Sequence, residues 1–198
     1  MNVTLYITNA RLLADHKEKA LARISPKRRT AAQAMVREED CLLQCAAGLL
    51  LRYGLDAPEE NFRLGEFGKP SLEGSPHFSL SYCGRYAALA VAEENVGADV
   101  EKVERPDILP RKVLTGEELA WLESHPAAAD FCLLWTRLES ALKGEGCGLA
   151  VEKREFSLLR DGATWHWDSR IIDGHMFTCA AMKPMTVTVV TLTDKELL

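Results

Sequence analysis

The 198-residue sequence predicts an α+β fold built from two similar halves, residues 1–94 and 95–198. Each half runs from a strand through helices into strands that close the half. The segments FSLSYCGRYAALAVA (78–92) and FTCAAMKPMTVTVVT (177–191) share a loose pattern and start 99 residues apart. No Gly- or Ser-rich linker separates the halves, so we expect two tightly packed units rather than two free domains.

The first half opens with a predicted strand, Val3 to Thr8, in which apolar and polar residues alternate. Ser25-Pro26 begins a helix, because a capping serine precedes a proline at the first helical position. A longer helix is predicted from residues 30 to 53, where Gly54 stops it.

A turn at Gly68-Lys69-Pro70 leads into two further strands of the first half. Apolar residues alternate with serine over 78–82, which predicts a half-buried strand. Gly84-Arg85 then turns the chain into a second strand, residues 86–92.

The second half begins with a predicted strand over 96–100. A capping box at 115–118 starts a short helix, and a second helix covers residues 130–143 with one apolar stripe. The remainder, 154–192, is predicted to form strands that close in a hairpin around Lys183-Pro184.

The charge balance argues against two classes of partner. With 24 basic and 29 acidic residues, the formal net charge is −5, which favours neither nucleic acid nor an anionic membrane surface. Basic clusters at 27–29 and 111–112 remain, and each is either a solvated face or a docking patch for an acidic partner.

The cysteines and the N-terminus indicate the compartment. The six cysteines have neither CxxC pairs nor metal-type spacing with histidine, and free thiols suit a reducing cytosol. The N-terminal segment lacks the charge and apolar pattern of a secretory signal, and no apolar run reaches the ~20 residues that span a bilayer. We therefore expect a cytoplasmic protein.

Asp99 and Glu101 lie two residues apart in a predicted strand, so both carboxylates point to the same face. Their mutual repulsion would be relieved by a hard cation such as Mg²⁺, which binds one or two carboxylates together with substrate phosphates. A solvent-exposed polar face explains the same spacing and is the more common outcome for an isolated D-x-E.

Glu139 and Lys143 lie one turn apart on the predicted helix of the WTRLESALKGEG segment. They form either an exposed ion pair, which contributes about 0.3–0.5 kcal/mol, or a carboxylate that binds metal or accepts a proton beside a phosphate-binding lysine. Spacing alone favours the ion pair.

Lys69 and Arg37 are open to two interpretations in the same way. A lysine between glycine and proline is a turn residue or a point charge directed at a phosphate. Arg37 and Asp40 form either a surface ion pair or a contact with a nucleotide.

Four motifs taken together distinguish a functional site from ordinary surface residues better than any single motif does. In order they are GKP (68–70), FSLSYCGRY (78–86), VGADVE (96–101) and WTRLESALKGEGCGL (135–149). This order resembles that of the 4′-phosphopantetheinyl transferases of the surfactin-synthetase-activating (Sfp-like) type. Those enzymes have GKP, F-N-[IL]-S-H-S, [IV]-G-[IV]-D-[IV]-E and W-[ST]-x-K-E-[AS]-x-x-K. The resemblance covers about residues 25 to 160.

The resemblance implies a fold of two α+β halves related by a pseudo-twofold, with the active site in the cleft between them. It also implies a reaction that depends on Mg²⁺ and uses coenzyme A. In that reaction a serine hydroxyl of an acyl or peptidyl carrier protein attacks the β-phosphate of coenzyme A. The phosphopantetheine arm is transferred and adenosine 3′,5′-bisphosphate is released. The carrier would belong to fatty-acid, polyketide or non-ribosomal peptide synthesis, and we expect a monomer.

The resemblance also implies roles by position. The implied metal ligands are Asp99, Glu101 and Glu139, and the implied catalytic residues are Glu139 and Lys143. The implied contacts with coenzyme A come from Arg37, Lys69, Ser81, Tyr82 and Lys143.

Two positions depart from the family pattern. Tyr82 replaces a histidine that contacts a phosphate of coenzyme A, and a tyrosine carries no positive charge at pH 7. Leu138 replaces the lysine before the helix glutamate. Besides an active transferase, these replacements are consistent with a non-catalytic relative that binds coenzyme A or a carrier protein. A plain α+β interaction module is a third alternative.

Overall fold

Two β-sheets covered by helices form the frame of the protein. The computed structural model describes residues 1–74, 76–148, 154 and 156–198. The strands are β1 (Asn2–Asn9), β2 (Arg63–Leu64), β3 (Pro70–Ser71), β4 (His77–Cys83), β5 (Tyr86–Ala92), β6 (Gly97–Lys102), β7 (His166–Ile172), β8 (His175–Ala181) and β9 (Thr186–Thr191). The predicted α+β class is confirmed.

The helices are α1 (Lys17–Arg23), α2 (Pro26–Gln33), α3 (Glu38–Leu55), α4 (Gly116–Ser124), α5 (Ala128–Glu145) and α6 (Asp194–Leu197). Short 3₁₀ helices cover Ala10–His16 and Glu59–Asn61. None of the helices in the described parts of the chain is long and apolar enough to cross a membrane.

The first sheet has the strand order β4-β5-β1-β9. β1 lies antiparallel to β5, with Val3 opposite Ala92, and parallel to β9, with Val3 opposite Val187. The buried leucines of α3 pack in one core cluster with Phe78 of β4 and Leu89 of β5. Burial of this apolar helix face fixes α3 against the sheet.

The second sheet has the order β6-β8-β7, with both pairs antiparallel. Leu134, Leu138 and Leu142 recur every four residues along α5 and therefore share one face of the helix. They pack in a core cluster with Met176 of β8. A further apolar cluster joins the two sheets, with Val3, Leu5 and Ile7 of β1 in the same cluster as Val100 and Phe177.

β6 begins directly against α5 at Gly97. A Cβ atom at this position would lie 1.7 Å from the carbonyl oxygen of Ser140, so only glycine permits the approach. The contact holds the strand that carries Asp99 beside the helix that carries Lys143.

α2 and α3 are separate helices where the sequence predicts one helix from 30 to 53, so that prediction is wrong in its extent. Arg37, the residue before α3, has extended dihedrals (φ −93°, ψ 137°), and Val36 is fully exposed, so the apolar stripe of α3 does not continue back into α2. α3 also runs through Gly54, the predicted stop, and ends at Asp56 in the left-handed region (φ 46°).

The predicted hairpin at Lys183-Pro184 is wrong. β8 is flanked by β6 and β7 and has no open edge, whereas β1 offers one, so β9 crosses to the first sheet. The ammonium group of Met1 donates to the Pro184 carbonyl oxygen at 2.6 Å, next to the crossing. The predicted strands also begin later than expected, because the described residues between 154 and 165 contain no strand.

The division into residues 1–94 and 95–198 stays a prediction, as does the pseudo-twofold relation between the halves. β9 and α6 come from the second half of the sequence but pack with the first sheet and with α3. The second half of the sequence therefore contributes a strand and a helix to the frame of the first.

Candidate active site

Serine hydroxyl groups join the two sheets where their edges meet, along β4 and β6. Ser79 Oγ accepts a hydrogen bond from the Ala98 N–H at 2.9 Å, and Ser81 Oγ accepts one from the Val100 N–H at 3.4 Å. Both serines are buried, so the strand predicted as half-buried over 78–82 is covered on its serine face as well. The second motif thus lies beside the third.

Asp99 is the most buried of the three predicted metal ligands, with 3% of its surface exposed. Its Oδ1 accepts hydrogen bonds from Ser81 Oγ at 2.8 Å and from Lys143 Nζ at 2.6 Å. Its Oδ2 is buried and has no hydrogen-bond partner among the described residues. An unmatched buried acceptor is destabilising, so Oδ2 is suited to a cation or donor that binds from outside the chain.

Lys143 reaches from α5 to β6 and leaves about a third of its side chain, 32%, accessible. Its partner is Asp99 rather than Glu139, so the exposed i,i+4 pair considered from the sequence is not the contact that forms. The ammonium group also donates to Ser81 Oγ at 2.9 Å. It is therefore a fixed positive charge at the junction of the sheets.

Glu101 and Glu139 are partly buried near this aspartate, and both are poor sites for an isolated negative charge. Burial raises the pKa of Glu101, and the charge of Asp99 raises it further. A hydrogen bond donated by Cys83 Sγ at 2.9 Å lowers the pKa in part. Burial raises the pKa of Glu139 above its usual value, and the charges of Asp99 and Glu101 add to the rise.

The three carboxylates fit a hard divalent cation by their chemistry. The unmatched Oδ2 of Asp99 and the raised pKa values of Glu101 and Glu139 are both features that a bound cation would relieve. Among the described residues, no three His, Cys, Asp or Glu side chains are already grouped closely enough to hold a metal ion. The Lys143 ammonium is the cation in contact with Asp99.

Lys69 is anchored by the end of α5 rather than by the carboxylates. Its Nζ donates to the Gly144 carbonyl oxygen and to Asn95 Oδ1, both at 2.8 Å. Burial lowers the pKa of Lys69 to about 8. The turn of the first motif is thus tied to the helix of the fourth.

Tyr82 is 39% exposed, and its hydroxyl accepts a hydrogen bond from Gln44 Nε2 at 3.1 Å. Gln44 lines a cavity of about 470 Å³ together with Arg28, Leu80 and Pro70. Gln44 and Arg28 were not predicted as site residues. Arg28 belongs to the basic cluster at 27–29, whereas no sequence pattern indicated Gln44. The two side chains meet because α2 packs on α3, where Arg28 Nη1 donates to Gln44 Oε1 at 3.2 Å.

Arg37 forms an exposed surface ion pair. Its guanidinium Nε lies 2.9 Å from Asp40 Oδ2, its side chain is 73% exposed, and the pair lowers the pKa of Asp40. This is the surface alternative raised from the sequence. Its predicted contact with coenzyme A stays a prediction.

Leu138 is buried in the core cluster of α5, next to the partly buried Glu139. Consecutive helix residues point about 100° apart, so the side chains at 138 and 139 serve different environments. The leucine therefore contributes packing to the second half, at a position where the family pattern has lysine.

Residues 95–175 match the family model of the 4′-phosphopantetheinyl transferase superfamily. This range contains all three predicted metal ligands and Lys143. A 4′-phosphopantetheinyl transferase of Bacillus subtilis is 29% identical over 83% of this chain and 78% of its own length. By these matches the chain is similar to the 4′-phosphopantetheinyl transferase superfamily. Its Sfp-like motifs are confirmed as the correct family signal, and the protein is a transferase enzyme.

Two further relatives extend the match into the first half. The transferase Sfp of Bacillus subtilis (strain 168) is 27% identical over 74% of this chain and 71% of its own length. The transferase gsp of Aneurinibacillus migulanus is 29% identical over 67% of this chain, which spans 60% of that relative. The similarity to this superfamily therefore extends beyond the carboxylate segment.

Proposed function

We propose that the protein transfers the 4′-phosphopantetheine arm of coenzyme A to a serine of an acyl or peptidyl carrier protein. The observation that carries this proposal is the contact of Lys143 with Asp99 at the junction of the sheets, with Glu101 and Glu139 near enough for their pKa values to respond to the charge of Asp99. In the transfer, a bond forms between the serine oxygen and the β-phosphorus. The bond from that phosphorus to the bridging oxygen breaks, and adenosine 3′,5′-bisphosphate leaves.

Coenzyme A is strongly anionic, and several features near the junction suit its phosphates. Lys143 is a fixed ammonium beside Asp99, and Lys69 is a second ammonium held by Gly144. The cavity of about 470 Å³ beside Tyr82 is lined by Lys27 and Arg28, and also by Glu60 and by Glu59, which pairs with Arg28. We propose that the nucleotide end of coenzyme A occupies this cavity, with Ser81 and Tyr82 near its phosphates and Arg37 towards the adenine end.

Glu139 is the proposed acceptor of the serine proton. Burial raises the pKa of the free carboxylate, which makes it a better base at neutral pH than an ordinary glutamate. A bound cation would offset this rise, so Glu139 would accept the proton when it is not itself a ligand of Mg²⁺. Glu139 also projects from the same helix as Lys143, so proton transfer and phosphate binding would be positioned by one rigid element.

We propose Asp99, Glu101 and Glu139 as the residues that would hold Mg²⁺. When bound, Mg²⁺ supplies charge neutralisation on the pyrophosphate group of coenzyme A. Among the residues of the chain, Lys143 contributes to charge neutralisation, because its ammonium group lies beside Asp99 before any ligand binds.

The decisive experiment incubates the protein with coenzyme A, Mg²⁺ and an apo carrier protein and measures the intact mass of the carrier. A gain of one phosphopantetheine group supports transfer, and a carrier with alanine in place of the acceptor serine is the control. If several carriers gain no mass although coenzyme A binds, the transfer proposal fails and the non-catalytic relative is supported.

We further propose that the protein works as a monomer in the cytoplasm. All six cysteines are free thiols, which suits a reducing compartment. The tight packing of the two sheets around one shared apolar cluster supports a site completed within a single chain.

A further inference from the structure

Two buried nitrogen atoms belong to residues that line a small cavity outside the carboxylate site. The cavity has a volume of about 180 Å³ and lies where the β4–β5 turn, at Gly84 and Arg85, meets Lys102 of β6 and His175 of β8. Arg85 Nε and His175 Nε2 are both buried and lack a hydrogen-bond partner among the described residues. His175 itself is only 3% exposed. Unmatched polar atoms of this kind call for a ligand.

The hydrogen-bonding roles of these two atoms follow from their neighbours. His175 Nδ1 lies 3.0 Å from the carbonyl oxygen of Asp173, which can only accept, so Nδ1 carries the proton. In the neutral imidazole ring, Nε2 is then an acceptor. Arg85 Nε–H is a donor, while Nη2 of the same guanidinium is already bonded to Asp173 Oδ2 at 2.5 Å. A ligand that satisfies both atoms offers an acceptor and a donor.

Gly84 leaves space next to His175 Nε2. A Cβ atom at position 84 would lie 2.6 Å from this nitrogen, and Gly84 has a φ of +60°, which side chains rarely adopt. Any larger residue here would block the ring nitrogen.

The cavity lining carries more basic than acidic residues, with Arg11, Arg85 and Lys102 against Glu39. Each of these cations has an acidic partner, since Arg11 pairs with Glu39 at 3.6 Å, Lys102 with Glu104, and Arg85 with Asp173. The first two pairs are largely exposed and therefore weak, so an anionic ligand can replace those carboxylates. The cavity also exceeds the ~30 Å³ share of one water molecule several times over.

We propose that this cavity binds a phosphate group that carries a hydroxyl, such as hydrogen phosphate. Its oxygens would accept from Arg85 Nε, and its hydroxyl would donate to His175 Nε2. Because the cavity joins the β4–β5 turn to β6 and β8, bound phosphate would also tie the two sheets together. The proposal goes beyond the transfer reaction and uses none of the carboxylates.

The test uses the full chain with ¹⁵N-labelled histidine at pH 7.5, titrated with inorganic phosphate against sodium chloride at constant ionic strength. We expect a saturable shift of the His175 ring signals, which are assigned by their loss in H175Q. At pH 7.5 the phosphate group of glycerol 3-phosphate is mostly a dianion without a hydroxyl, so we expect a much smaller shift with it than with inorganic phosphate. This comparison distinguishes free hydrogen phosphate from a phosphate group on a larger molecule. No shift with inorganic phosphate, or an equal shift with glycerol 3-phosphate or with sulfate, which also lacks a hydroxyl, would overturn the proposal.

Arginine variants supply the matched comparison. We expect R85Q to weaken phosphate binding about tenfold, as loss of one buried hydrogen bond predicts, and to remove the rise in melting temperature with phosphate. R63Q changes an exposed arginine outside the cavity and should bind as the unmodified protein does. If R85Q fails to fold, R85K keeps the charge without the guanidinium fork, and normal phosphate affinity in R85K would contradict the proposed contact.

Discussion

The Lys143 ammonium donates to Asp99 Oδ1 at 2.6 Å, across the boundary between α5 and β6. Burial of Asp99 strengthens its attraction to the ammonium, while the accessible third of the Lys143 side chain moderates it. The pair joins the third and fourth sequence motifs. It also explains why the lysine is not available to Glu139, four residues earlier on its own helix.

Replacing Asp99 with asparagine should reduce transfer sharply. D99N keeps the shape of the side chain but removes the negative charge next to Lys143, and we expect kcat/KM to fall on the order of 10²–10³-fold. Mass spectrometry of the carrier over time measures the rate. D168N changes an aspartate on β7 that pairs with Arg170, and it should retain near-normal transfer. Equal losses in both variants would contradict the role of Asp99.

Removing the Ser81 hydroxyl should destabilise the junction of the sheets. S81A leaves the Val100 N–H without its partner and removes a bond to Asp99, which we expect to cost about 1–3 kcal/mol of unfolding free energy. Urea denaturation measures the change. S71A removes an exposed hydroxyl that bonds to the Arg63 carbonyl group, and it should change stability by less than about 0.5 kcal/mol.

Alanine at position 97 should disrupt the contact between β6 and α5. The added Cβ would meet the Ser140 carbonyl oxygen at 1.7 Å, a backbone atom that cannot move aside alone, so we expect a loss of about 1–3 kcal/mol or more. Transfer activity should fall with it. G116A is the control, since a Cβ there meets nothing within 4 Å and alanine favours the helix. A stable, active G97A protein would contradict the close approach.

The pH dependence of coenzyme A use should report Lys69. Burial lowers its pKa to about 8, so the side chain is charged below that pH and neutral above it. If it binds phosphate, kcat/KM for coenzyme A should decline as the pH rises past 8, because the free enzyme loses a positive charge. K69R stays charged throughout and should shift the decline to higher pH. An unchanged profile in K69R would show that another group controls the decline.

Local signals in the sequence predicted several of the elements, and its motifs predicted the resemblance to a family. Alternation over Val3 to Thr8, the Ser25-Pro26 helix start and the capping box at 115–118 are local signals, and each one appears in the structure where it was expected. The four ordered motifs gave the resemblance to the superfamily before any geometry was known. Local propensity and motif order are carried by neighbouring residues, which a sequence displays directly.

Tertiary structure decided which strands pair, which side chains form ion pairs and which residues are buried. The partner strand of β9 depended on which sheet edge was open, and the choice of Asp99 over Glu139 as the partner of Lys143 depended on how closely Gly97 lets β6 approach α5. The burial of Leu138 and the surface position of Arg37 were likewise settled by packing. These outcomes depend on contacts between residues far apart in the chain, whose distances no local pattern encodes.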